Sequence, residues 1–350
     1  MKVRTVCGDI APEELGFTLI HEHVIQDIMP VYRAAYDQGA VPPPEEFTDV
    51  KSDSYIDFIL NELKLYKEAG GNSLCECSVY GLAGRPYEDL KKISEASGIN
   101  IILGTGIFRN DLRPEEFAGK EENEIKELLD KSIDNGVEDS GVLPGFVKAA
   151  MNFLDKNGGF LQDEIDVFRA CARISAERDM PMQVHLSTRP FNADQIVELV
   201  EMAKSLGADP KRINLCHTDG VILKQASLAE HIRDRDIGFS IEPHKKILDT
   251  GVNLSFDGFG NVFTNTQENS NLYLIDDYTR ISALYELTKL GYENQIMLGH
   301  DFTCRLCGVA NGGYGYTRVP NLVCKMLKEL DLEDAAVKMT VTNPARFLAY

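Results

Sequence analysis

Short runs of β-branched and apolar residues recur along the chain, each followed by a stretch with apolar residues three and four positions apart. The runs are GFTLIHEHV (16–24), NSLCECSV (72–79), NIILGTGI (100–107), GFVKAA (145–150), PMQVHLS (181–187), INLCHTD (213–219), GVNLSFD (251–257) and QIMLGHD (295–301). Such short runs bounded by turn residues read as buried strands, and the wider spacing reads as amphipathic helices. In 54–68 the helical stripe is Ile56, Ile59, Leu60 and Leu63; in 193–205 it is Ile196, Val197, Val200 and Met202. Strand then helix, repeated eight times, predicts an α/β protein with a (β/α)8 TIM barrel. The segment DIGFSIEP (236–243) also reads as a strand and competes for the seventh place. The run 251–257 is preferred, because EPHKKILDTG then supplies the preceding helix, ended by Gly251. No Pro/Gly/Ser-rich linker, repeat or low-complexity stretch interrupts residues 1–350, which predicts a single barrel domain, with the long loops 25–53 and 258–277 as lids.

Composition narrows the partners. A hydrophobic content of 43% over 350 residues suffices for a large core. A net charge of −19 repels phosphate backbones and anionic membrane surfaces, which excludes nucleic acid and lipid and favours a small-molecule substrate. The start, MKVRTVCGDIAPEELG, has no apolar signal region, and no stretch approaches the ~18 apolar residues of a membrane span, so a cytoplasmic protein is expected. A homodimer is compatible with the sequence, which does not fix the oligomeric state. The eight cysteines lie largely in apolar runs and read as reduced structural thiols. Cys75/Cys77 and Cys304/Cys307 have spacings that could bind zinc, but neither has a matching second pair.

Reactive groups in such a barrel collect at the carboxyl ends of the strands. His21 and His23 are two apart in the first run, so alternation puts both imidazoles on one face, while Glu22 points the other way. Lys148, His185, His217 and Asp301 stand at or near the ends of the fourth, fifth, sixth and eighth runs. His231 and His244 fall on predicted helices and read as surface residues; His300 faces away from Asp301 and is left out of the site. Singly, each residue could be a hydrogen-bonded core histidine, a paired lysine or a helix cap. Their concentration at strand ends points to metal chemistry.

The blocks GDIAPEELGFTLIHEHV, GLAGRPYEDLKKISEASGINIILGTG, FVKAA, HLSTRP, CHTD, ILDTGVNLSFDGFG, GHD, GGYGYT and TNPARFLA follow one another from end to end of the chain. In these blocks the chain resembles the phosphotriesterase-related proteins of the amidohydrolase superfamily. The resemblance implies that His21, His23 and Asp301 bind one divalent metal and that His185 and His217 bind a second. Lys148, carboxylated by carbon dioxide, would bridge the two. Zinc is the expected metal, with manganese, cobalt or iron suited to the same donors. Two such ions hold a bridging hydroxide at neutral pH and polarise an ester or phosphoryl oxygen, so hydrolysis is implied, with Asp301 as the proton acceptor. The glycine-rich GGYGYTR (312–318) lacks the Lys-Ser/Thr ending of a phosphate-binding loop.

Arg85, Arg109, Arg189 and Arg305 lie just past strand ends and would ring the mouth of the pocket. Arg85 falls in a block that reads as structural, which leaves Arg305, Arg189 and Arg109 as candidate contacts to a substrate anion. The resembling family contains lactonases and organophosphate hydrolases. A small anionic sugar lactone, phosphorylated or not, fits an arginine rim. A neutral phosphotriester, the alternative, wants an aromatic pocket, and this chain has no tryptophan. Phe108 stands where the family often carries a larger aromatic residue and where acyl-homoserine lactonases are expected to carry tyrosine. A metal-binding barrel without catalysis is the alternative from another class; the complete ligand set, Asp301 included, argues against it.

Overall fold

The computed structural model describes residues 1–34, 42–187, 191–223, 228–236, 238–260 and 275–350. Eight parallel strands form one sheet in sequence order: β1 (Thr18–Glu22), β2 (Ser73–Glu76), β3 (Asn100–Gly106), β4 (Phe146–Met151), β5 (Met182–Leu186), β6 (Ile213–Leu215), β7 (Asn253–Phe256) and β8 (Ile296–Leu298). The sheet curls into a nearly closed barrel, where the Asp301 amide beyond β8 donates to the His21 carbonyl of β1 at 3.1 Å. All eight strands coincide with the predicted runs, and the choice of 251–257 holds, because 242–248 is helical. In the rival segment, the described residues 238–240 are not in a strand.

The barrel is two cores in one. Inside it, Ile20, Cys75, Cys77, Ile102, Phe146 and Met297 pack together and are closed below by Val3, Leu15 and Phe347. Outside, apolar helix faces cover the sheet, with Ile59 and Leu63 of Asp53–Glu68 and Ile196, Leu199 and Val200 of Ala193–Ser205 buried. Asn192 caps the latter helix and shares a reciprocal box with Gln195. Two glycines make the interior possible. A Cβ on Gly104 would lie 2.4 Å from the Phe146 ring, and one on Gly106 would lie 1.8 Å from the Lys148 carbonyl. Neighbouring β3 and β4 can therefore approach where Lys148 sits.

A short antiparallel hairpin, Val3–Thr5 with Gly8–Ile10, precedes β1, and its runs are too brief to register in a periodicity reading. It is tied to the C-terminus by reciprocal bonds between the Lys2 and Tyr350 backbones. The first predicted lid contains two short helices, Met29–Ala34 and Glu45–Thr48; residues 35–41 of it, and 261–274 of the second, lie outside the described residues. All eight cysteines are free thiols, and Cys75, Cys77, Cys171, Cys216, Cys304 and Cys307 are buried. No helix among the described residues is long and apolar enough to cross a membrane.

His244 corrects the sequence reading. It lies on a helix, Glu242–Leu248, but its side chain is fully buried rather than on the surface. The ring stacks on Phe256 and donates from Nε2 to the Thr218 carbonyl at 2.8 Å. Burial lowers its pKa from 6.5 to about 4. The unfolded chain therefore takes up this proton first on acidification. The contribution to stability is whole above pH 6.5 and is lost as pH falls toward about 4. Between pH 7 and pH 5 this residue alone should remove about 2 kcal/mol. Urea melts of wild type and His244→Gln at both pH values check this: the variant should lose less stability than wild type by that amount, and parallel losses would refute it.

Candidate metal centre

Five barrel strands or their ends deliver the predicted ligands to one place. His21 lies within β1 and His23 one residue past its end, both nearly fully buried. Glu22, facing oppositely, accepts from the His300 amide at 2.7 Å, the His300 ring at 2.8 Å and the Phe302 amide at 3.2 Å. Glu22 thereby bolts β1 to the loop after β8, and His300 stands outside the cluster. The two residues at the ends of β6 and β8, His217 and Asp301, are beyond the strands rather than in them, in left-handed conformations with φ of 60° and 55°. That backbone is uncommon for a residue with a Cβ and costs on the order of 1–3 kcal/mol, so the surrounding contacts must hold it.

The interatomic distances are short throughout. Asp301 Oδ1 lies 3.1 Å from His23 Nε2 and 3.7 Å from His21 Nε2. Lys148 Nζ is 2.9 Å from His21 Nε2, and His185 Nδ1 is 2.8 Å from His217 Nε2. Asp257, immediately after β7, binds both remaining ring nitrogens: His21 Nδ1 and His217 Nδ1 each lie 2.9 Å from one of its oxygens. It also accepts from the His217 amide and from the Ser255 hydroxyl. Asp257 was missing from the predicted site, although it closes the seventh predicted run. A lone strand-end aspartate reads equally well as a helix cap, so only its two histidine partners reveal it.

The charges follow from these contacts. Burial alone would raise Asp257, but His217 and His21 hold its carboxyl well below the usual range. Burial lowers His21 to about 3, assisted by Lys148, so its ring is neutral, with the proton on Nδ1 facing Asp257. His185 is pushed well down by burial and then by His217. Burial would also lower His217, but Asp257 prevails and raises it to about 9. As the chain stands, the His217 Nε2–H donates to His185 Nδ1. Burial would lower Lys148 too, but Cys77, Cys216, Asp301 and Asp257 together raise it, so its ammonium donates to His21. Burial would raise Asp301, yet the His23 hydrogen bond and the nearby rings keep it strongly acidic.

The donor set fits divalent cations. His21, His23 and Asp301 offer ligand atoms within 4.8 Å of one another, and three ligands at ~2.0–2.2 Å from one ion need little further movement. His185 and His217 face each other through nitrogens that a proton now joins and a cation could replace. His21, His217 and Asp257 form another compact group, but both rings reach Asp257 through Nδ1–H hydrogen bonds. This is the arrangement that orients ligands and leaves Nε2 free, rather than one that ligates through the carboxylate. Lys148 as an ammonium has no lone pair to offer; it would have to lose that proton to serve as a ligand.

The arginines are placed differently from the predicted rim. Arg305 donates to Ser52 Oγ at 3.0 Å and Ser54 Oγ at 2.8 Å and lies 5.5 Å from the Tyr55 and Phe58 ring centres. These partners tie the β8 loop to the start of the helix Asp53–Glu68. Arg109 pairs with Asp111 through two bonds and stacks over Phe153. It directly follows Phe108, whose ring meets His185 edge-on at 4.9 Å. Arg85 holds Asp89 and the Val50 and Ser52 carbonyls, a structural role. Arg189 lies outside the described residues. A separate cavity of about 390 Å³, lined by residues including Asp27, Lys51, Arg85 and Glu138, contains none of the cluster residues.

A parallel barrel with imidazoles and carboxylates gathered at its carboxyl end is the architecture of a metal-dependent hydrolase. Residues 1–348 match the model of the phosphotriesterase family, and the chain belongs to that family and is a hydrolase. Among curated proteins it is 25% identical over 367 residues to an N-acetyltaurine hydrolase of Xenopus tropicalis, covering 100% of this chain and 98% of that protein. It is 26% identical over 367 residues to a phosphotriesterase-related protein of Nematostella vectensis, covering 99% and 98%. Among solved structures, a lactonase from Listeria monocytogenes superposes with a TM-score of 0.79 at 21% identity, covering 100% of this chain and 99% of that one. A phosphotriesterase homology protein from Escherichia coli, complexed with phosphate in its active site, gives a TM-score of 0.75 at 22% identity, covering 96% and 99%. Both share the fold.

If Asp257 fixes the two imidazoles, Asp257→Asn should weaken metal binding by about 10–100-fold, because one carboxamide cannot accept from both rings. Competition against a chelator measures the affinity, and circular dichroism checks that the barrel persists. Unchanged affinity in a folded variant would reduce Asp257 to a packing role.

Proposed function

We propose that this chain is a binuclear metal-dependent hydrolase that opens the ester of a small anionic lactone. The observation that carries the reading is the convergence of His21, His23, His185, His217 and Asp301 with their inner donor atoms facing one another, around the buried Lys148. His21, His23 and Asp301 would hold one divalent ion, His185 and His217 the other, and Lys148, carboxylated on Nζ, would join them. Zinc is the first choice of metal, with manganese, cobalt and iron as alternatives. Bound there, the ions supply Lewis acidity toward a carbonyl oxygen and a source of hydroxide at neutral pH.

The protein's own groups do the rest. Asp257 keeps the Nδ1 protons of His21 and His217, so the lone pairs on Nε2 point inward. Asp301, ionised and 22% exposed, accepts a proton from the attacking water and can return it to the departing alkoxide. The Phe108 ring against His185 shields that side from water. Of the described arginines, Arg109 is the better candidate for a substrate anion, being adjacent to Phe108, whereas Arg305 is held by Ser52 and Ser54. The acidic surface supports a small-molecule substrate rather than nucleic acid or membrane.

A second reading comes from the relatives named N-acetyltaurine hydrolase, matched along nearly their whole length. An N-acyl amide that carries a sulfonate presents the same electrophilic carbonyl and the same remote anion as a charged lactone. A neutral phosphotriester lacks that anion. The deciding experiment assays metal-loaded protein on lactones with and without a phosphate, on N-acetyltaurine and on a neutral phosphotriester. Turnover led by the triester, or none on any carbonyl substrate, would overturn the proposal.

Elemental analysis of active protein should give close to two divalent ions per chain, and Asp301→Asn should lower turnover by about 10²-fold or more while the barrel stays folded. Turnover near wild type would place the proton acceptor elsewhere. Arg109→Ala should cost about 2 kcal/mol in kcat/KM on the anionic member of a substrate pair and little on its neutral partner. Arg305→Ala should affect both substrates equally. Selective loss in Arg305→Ala instead would return the anion contact to Arg305.

A further inference from the structure

The loop after β8 contains a dithiol that the hydrolytic site does not use. Cys304 precedes the short turn Arg305–Cys307 and Cys307 ends it, and the Cys307 amide donates to the Cys304 carbonyl at 2.9 Å. A turn closed in this way keeps its end Cα atoms within roughly 7 Å, and a disulfide spans ~4.4–6.8 Å. The Thr303 hydroxyl lies 3.5 Å from the Cys307 sulfur. Both are free thiols, and both are buried.

We propose that Cys304 and Cys307 form a redox-active pair that a peroxide converts to an intrachain disulfide. The Cys304 thiolate attacks one peroxide oxygen, the O–O bond breaks, hydroxide leaves and a sulfenic acid forms. The Cys307 thiol then attacks that sulfur, expelling the oxygen as water once protonated. Two thiols and one hydrogen peroxide thus yield one disulfide and two waters, and a dithiol reductant reverses the change.

The surroundings separate the two roles. The hydrogen bond from Cys307 lowers Cys304 to about 7 against the opposing effect of burial, and the Leu306 amide and Thr303 assist. Cys307 is raised by its bond to Cys304 and by burial, so it keeps its proton until it attacks. Burial raises the barrel thiols Cys75, Cys77, Cys171 and Cys216, with Cys77 and Cys171 reaching about 12, which leaves them unreactive. The pair sits three residues beyond Asp301 and encloses Arg305, so its closure stiffens the loop that links β8 to the helix Asp53–Glu68.

The test uses the full chain as purified, treated with stoichiometric hydrogen peroxide, then alkylated and mapped by peptide mass. The peptide with Cys304 and Cys307 should lose two hydrogens, recover them with dithiothreitol, and react faster as pH rises through about 7. Cys307→Ser should accumulate a sulfenic acid at Cys304 that dimedone traps. Cys304→Ser should give no adduct at Cys307. The proposal fails if Cys307 is trapped in Cys304→Ser as readily as Cys304 is in Cys307→Ser. It also fails if the pair takes up oxygen without forming a disulfide, or stays reduced while the exposed Cys7 is oxidised.

Discussion

Asp257 holds two histidines from different strands with one carboxylate, and the geometry of the centre depends on that bond pair. Its side chain is fully buried, a position that strongly disfavours a charge unless donors surround it. His21, His217, the His217 amide and Ser255 supply those donors. The left-handed backbone at His217 is what lets its ring and its amide reach the same carboxylate. Strain at one residue is thereby offset by two hydrogen bonds to an ion.

The same device recurs around the barrel mouth. Glu22 binds the amides of His300 and Phe302, Glu76 binds those of Val24 and Ser78, and Glu62 receives those of Val309 and Ala310. Each is a buried carboxylate on a strand or helix holding the start of a loop. Burial raises Glu22 and Glu62, and the backbone donors partly counter it. Tyr316 adds a bond from its hydroxyl to the His23 carbonyl at 2.6 Å and stacks on Phe302. The loop rich in glycine between Gly308 and Gly315 is therefore a brace: a Cβ at Gly315 would lie 2.2 Å from a Glu62 oxygen.

The barrel was legible because parallel strands are buried on both faces and leave continuous apolar runs in the sequence. The helices before β2 and β6 likewise carry stripes that packing respects, as Ile59 and Ile196 show. What periodicity cannot mark is where a strand stops. The runs ending in His217 and Asp301 read as strands to the last residue, yet the ladder ends at Leu215 and Leu298, and the chain turns left-handed to present each side chain. His244 was misplaced for a related reason: a short helix with lysines at 245 and 246 looks like a surface helix, and only packing on Phe256 shows that its histidine faces inward.

The predicted ligands came together because strand ends in a barrel must share a small area, so residue type and strand position nearly determine the cluster. Substrate contacts obey no such constraint. An arginine past a strand end can turn toward the pocket or back to its own loop, and sequence position does not distinguish the two. Arg305 turns back, drawn by two hydroxyls at a helix start and two aromatic faces, while Arg109 is already shared with Asp111. A substrate anion at Arg109 must therefore compete with a carboxylate already in place. Binding there would be an exchange of partners rather than the filling of an empty positive site, and selectivity would rest on how well the anion replaces Asp111 in both hydrogen bonds.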